Sequence, residues 1–130
     1  MAIDILELAR IHEGCLNEGS VEFIERVNRL HGFMTACGVF PSKRAVQHAQ
    51  SHRLFCGLLL IIHDQFEGEF SLSSRNISEL SKLPLGSGIV SHLDAMVANT
   101  LLRQQGQNYS FLPVLRTASR KLTASEVINA

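Results

Sequence analysis

The chain has 130 residues, 45% apolar and 18% charged, which is the composition of a folded domain rather than of a disordered segment. That length allows one domain of ordinary size to bury a core without disulfides or metals. Twelve basic residues balance twelve acidic ones, which argues against strong nonspecific binding to a polyanion.

Trp is absent and Tyr occurs once, so the core is expected to be aliphatic with Phe inserted. Cys15, Cys37 and Cys56 are odd in number, lack CxxC spacing and stand in apolar, helical context. They read as small buried hydrophobes in a reducing compartment. The segment Met1-Ala-Ile-Asp-Ile-Leu-Glu7 carries acid early and has no basic start, unlike a signal peptide. The longest apolar run, Leu58 to Ile62, is too short to span a bilayer. The expectation is a soluble, cytoplasmic protein without membrane association.

The first half reads as helical. Ile3, Leu6, Leu8 and Ile11 suggest a short opening helix that stops near Gly14. Ser20 is a good N-cap, and Val21, Ile24, Val27 and Leu30 follow at steps of three as one apolar stripe. That helix fades between Gly32 and Gly38. Ser42, after Phe40-Pro41, caps a third helix to about Phe66, apolar all round near its end and therefore the central one. The sequence divides into residues 1–66, expected to pack and dimerise, and residues 67–130, the two being parts of one compact domain.

The second half changes rhythm. Glu69 to Leu72 alternates polar and apolar, as a short strand does. Asn76 caps Ile77-Ser-Glu-Leu-Ser-Lys-Leu83, with Glu79 completing a capping-box pattern. Pro84-Leu-Gly-Ser87 forms a turn, and Ser87 caps a helix with Ile89, Leu93, Met96 and Val97 on its apolar stripe. Residues 101–105 and 110–116 read as paired strands, with Pro113 confining the second to an edge. The order of helix, strand, helix, turn, helix and hairpin predicts an α+β, mainly α fold: a winged helix-turn-helix with an N-terminal helical extension.

In that arrangement one helix enters the major groove and the hairpin grips the flanking phosphates. The helix from Ser87 has an apolar face and a short polar one, with Gly88, Ser91, His92, Ala95 and Asn99, and an exposed Val90 suited to a thymine methyl. Charge supports the division. From Phe70 to Lys121 six basic residues (Arg75, Lys82, Arg103, Arg116, Arg120, Lys121) face two acids (Glu79, Asp94). That stretch is +4, and the remainder −4.

Here the sequence resembles the MarR family of winged-helix regulators. Ser87-Gly-Ile-Val-Ser-His-Leu-Asp-Ala-Met96 is similar to that family's Ser-x-Val-Ser-x-x-Leu-Asp-x-Leu recognition helix. Asn76 to Leu83 is similar to its supporting helix, and Leu101-Leu-Arg103 to its Gly-Leu-Val-x-Arg wing start, with Thr100 where that pattern has Gly. The resemblance covers about residues 69–116. It implies a homodimeric, sequence-specific regulator on double-stranded DNA. Ser87, Gly88, Ser91, His92 and Ala95 would then meet bases or phosphates, and Arg75, Lys82, Arg103 and Arg116 the backbone.

The other readings are blander. A protein-interaction module on the same fold is the alternative, because no Arg or Lys lies between Lys82 and Arg103. His48 and His52 have the i, i+4 spacing of metal ligands but lack an accompanying Glu or Cys pair, and read as helix surface or satisfied core. Gly86-Ser-Gly88 lacks the preceding strand and the Lys of a phosphate-binding loop. Cys56 beside His52 or His63 reads as a buried, inert thiol. No enzyme, cofactor or metal is expected, and the sequence is silent on any small-molecule effector.

Overall fold

The computed structural model describes residues 3–12, 21–40, 49–73, 79 and 88–121. Its elements run β1 (Ile3–Asp4), α1 (Ile5–His12), α2 (Val21–Ala36), α3 (Ala49–Phe66), β2 (Glu69–Ser71), α4 (Ile89–Ala98), β3 (Leu102–Gln105), β4 (Asn108–Phe111) and α5 (Pro113–Ser119). The result is a mainly helical α+β fold with one small mixed sheet of order β1-β2-β4-β3.

The opening helix starts later than its apolar spacing suggests. Ile3 and Asp4 instead pair in parallel with Phe70 and Ser71 of β2. The Asp4 side chain then accepts the Leu6 N–H at 2.9 Å, which starts α1. Ile5, Leu6, Leu8 and Ala9 are buried, so this short helix presents an inward face along its described length.

α3 is the central element, as its apolar run leads one to expect. Leu54, Phe55, Cys56, Leu58, Leu59, Leu60 and Ile62 are all buried on it, and α1, α2, α5 and β2 pack against it. α2 contributes Val27, Leu30 and Met34, with Arg26 buried between α2, α3 and α5. Arg26 donates to both carboxylate oxygens of Asp64 at 2.8 and 3.0 Å and also to the Ser119 carbonyl. The neighbouring Arg29 reaches the Arg120 carbonyl. Two arginines of α2 therefore fasten the end of α5.

The expected hairpin forms. β3 and β4 pair antiparallel from Leu102↔Phe111 to Gln105↔Asn108, leaving residues 106 and 107 as the two-residue turn that tight hairpins favour. β2 pairs antiparallel with the other edge of β4, Phe70 opposite Tyr109. Their rings lie nearly parallel, centroids 5.1 Å apart.

The second strand ends earlier than expected. β4 stops at Phe111, and 113–119 is the helix α5 rather than the continuation of an edge strand. Proline fits the first turn of a helix, where its missing N–H would have no partner, as well as it fits a sheet edge. Here Pro113 opens a helix whose Leu115 is fully buried.

The supporting helix expected at 76–83 lies outside the described residues except for Glu79. That residue is helical and pairs with Arg10 of α1 at 2.6 Å. Among the described residues no helix is long and apolar enough to cross a membrane.

Candidate nucleic-acid interface

α4 begins at Gly88, which holds the N-cap position with φ 82 and makes no side-chain cap bond. Ser87, expected to be that cap, lies outside the described residues, as do Arg75 and Lys82. From Gly88 the helix turns two faces outward and inward. Ile89, His92, Leu93 and Met96 are buried. Gly88, Ser91, Asp94, Ala98 and Asn99 are exposed, with Val90 and Ala95 half-buried. Gly88, Ser91 and Ala95 recur at steps of three and four, so they share one ridge.

His92 does not belong to that ridge. It is 8% exposed and packs edge-on against Phe40, its centroid 4.9 Å away, and His52 at 5.2 Å, with Phe55 at 5.5 Å. Helical geometry explains the correction. His92 stands three residues after Ile89 and four before Met96, which is the apolar stripe itself. A neutral imidazole is flat and largely carbon, so it fits an aromatic cluster. Val90, expected to be exposed, is half-buried against the core.

The hairpin lies beside α4, with β3 packed against that helix. Arg103 is exposed on β3 opposite Ser110, and Gln104 and Gln105 follow it outward. Gln104 is partly engaged, its amide donating to the Gly106 carbonyl at 3.1 Å. Residues 95–121 contain Arg103, Arg116, Arg120 and Lys121 and no acid. Arg116 is also exposed, but it is carried by α5, which packs against α2 and α3. Its Nε donates to the Phe111 carbonyl at 3.1 Å, which turns its head back toward the end of β4.

Of the expected contact residues, then, Gly88, Ser91, Ala95 and Arg103 gather on neighbouring elements. Arg116 stands on another helix and His92 faces the core. The acid of α4, Asp94, is exposed; burial, with the Asp94 charge adding to it, holds the Tyr109 hydroxyl above its ordinary range.

Two clusters were not foreseen. One is the Arg26–Asp64 pair; burial alone would raise the Asp64 pKa, but hydrogen bonds and charge from Arg26 and His63 outweigh it and hold the carboxyl below its usual range. The other is a stack of His31, Phe40 and His52 that meets His92. Buried Cys56 has its thiol pushed far up by desolvation, which suits an inert core residue better than a nucleophile. Among the described residues no group of three His, Cys, Asp or Glu side chains is arranged to hold a metal.

No protein-family description, curated protein or solved structure matches this chain.

Proposed function

We propose that the chain is a winged helix-turn-helix regulator that binds double-stranded DNA sequence-specifically as a homodimer in the cytoplasm. The observation that carries this reading is the small-residue ridge of α4, Gly88, Ser91 and Ala95, lying next to a hairpin that bears Arg103 and no acid. A small-residue ridge can approach base edges closely, Ser91 offering a hydroxyl that donates or accepts. A guanidinium on the adjoining hairpin suits phosphate or the neighbouring minor groove. The β2-β4-β3 arrangement beside α3 and α4 has the strand order this architecture needs. Val21 and Ile24, 73% and 47% exposed on α2, supply the apolar surface through which two copies would meet.

Fluorescence anisotropy with random and genomic duplexes across a salt series tests the reading. Arg103→Ala should weaken binding to every duplex and flatten the salt dependence by about one charge. Ser91→Ala should cost about 1 kcal/mol on the preferred site alone. Exposed Asp94 and the lack of any cation on α4 favour one second reading, a protein-interaction module on the same surface. Failure of the folded protein to bind any duplex at low salt would remove the DNA reading and leave that alternative.

A further inference from the structure

His31, His52 and His92 come from three different helices, α2, α3 and α4, and meet around Phe40. Phe40 stacks almost flat on His52, interplanar angle 8° and centroids 4.1 Å apart, and also stacks on His31 at 5.5 Å. The His31 and His52 centroids are 6.1 Å apart, and His92 closes the group edge-on. We propose that this stack is an acid-sensitive latch: while its imidazoles are neutral it seats α4 against α3 and Phe40, and proton uptake releases α4.

Four physical features oppose charge there. His52 and His92 are buried, and burial disfavours an imidazolium. A second imidazolium within 6 Å or so of a first adds repulsion at low local dielectric. The third concerns one atom. The His31 Nε2 is buried with no hydrogen-bond partner among the described residues, so protonating it creates an N–H without an acceptor. The His92 ring lies under the first turn of its own helix, Cε1 and Nε2 both 3.6 Å from where a Cβ on Gly88 would stand. That is the positive end of the helix dipole, the fourth feature.

The charged surroundings agree. Burial, reinforced by the charge of Arg53 on α3, lowers the His31 pKa from the ordinary value near 6.5. Of the described acids on the same helices, Asp64 of α3 binds Arg26 and His63, and Asp94 of α4 acts on Tyr109. Glu22 and Glu25 of α2 are exposed, a turn or more before His31. Histidines held neutral when folded bind fewer protons than when released. Their stabilisation is therefore complete above about pH 6.5 and is lost as pH falls below it.

Hydrogen exchange of the full chain at about pH 7.5 and about pH 5.5, corrected for intrinsic rates, measures the latch without DNA. Opening of 89–98 should become about tenfold or more populated at the acid pH, one pKa unit on one histidine being a factor of ten. Segment 55–62 should change much less. His92→Phe keeps a ring in place and removes a titrating group, so it should reduce the acid effect on 89–98. If that variant does not fold, proton NMR titration of the wild type decides instead: all three rings should titrate below the ordinary histidine value. Unchanged exchange of 89–98, equal acceleration of 55–62, or ordinary titration of the three rings would each overturn the proposal. Its consequence for DNA, weaker binding at acid pH, rests on reading α4 as the recognition helix. Anisotropy at both pH values separates the two ideas, since the latch can open in a protein that binds no duplex at either pH.

Discussion

Thr100 occupies, at the end of α4, the left-handed position that Gly38 occupies at the end of α2, with φ 62 against 80. Both helices close with the same pair of bonds. In α2 Gly38 donates to Thr35 O and Val39 to Met34 O, each at 3.0 Å; in α4 Thr100 donates to Val97 O at 3.1 Å and Leu101 to Met96 O at 2.8 Å. This is the two-bond closure for which glycine is the usual residue. A β-branched side chain held there costs about 1–2 kcal/mol. Thr100→Gly should therefore raise stability by about 1 kcal/mol after the added freedom of the unfolded chain is subtracted. Urea unfolding checks this, and an unchanged or lowered midpoint contradicts it.

At Gly68 the opposite result is expected. Its φ is 76, and a Cβ added there would lie 2.9 Å from both Cβ and Cγ of Phe111. Phe111 cannot yield easily, because its own N–H donates to the Gly68 carbonyl at 2.9 Å and its ring is buried. Gly68→Ala should lower stability by about 2–3 kcal/mol, combining backbone strain with overpacking. Thermal unfolding that matches the wild type would show that β4 can shift.

Acid should weaken the α2–α3 contact through Asp64. The carboxyl pKa is depressed in the folded chain, so its contribution is present above the ordinary aspartate value and lost as pH falls through and below it. Asp64→Asn should cost about 2 kcal/mol at neutral pH. It should also leave a shallower loss of stability between about pH 5 and pH 2. Denaturant midpoints measured across that range provide the check; a mutant curve parallel to the wild type would mean that Asp64 is not linked to folding.

Leu30 and Ile24 separate core from surface on one helix. The sequence stripe treats them alike, but Leu30 is 0% exposed and belongs to the core. Leu30→Asp should unfold the chain, as a charge buried without a partner does. Ile24→Asp should leave the circular dichroism spectrum unchanged and shift a dimer to monomer in light scattering. A wild-type monomer at tens of micromolar would remove the dimer from the proposal.

The legible parts of the fold were those with only one good physical solution. The apolar run of α3 can only be central, and two short runs around the turn at Gly106 suit a hairpin. Pro113 was ambiguous because a sheet edge and a helix start both tolerate a missing N–H. For Ile3, the helical spacing with Leu6 gave no hint of a strand partner as distant as Phe70. His92 could have been placed correctly: its spacing from Ile89 and Met96 marks the buried stripe, but its polarity suggested solvent. Its partners could not have been found this way, since nothing local connects His31, Phe40, His52 and His92. Arg26 was hidden for the same reason, a charge on a buried face whose acid lies on another helix. At the proposed interface, Ser91 and Arg103 were accessible to sequence reasoning because exposure follows from helix and strand periodicity.

The sheet joins Ile3 to Phe70, and Phe70 in turn to Tyr109. Its central strands thus bind the beginning of the described chain to a hairpin near its other end. Helices can start to form from neighbours in sequence, but this sheet must close long loops before its pairings are rewarded. On a ribosome, β1 must wait for β2, and β2 must wait for β4. Until the hairpin has emerged, Phe70 lacks its Tyr109 partner, and the β4-facing edge of β2 is exposed to pairing with another nascent chain.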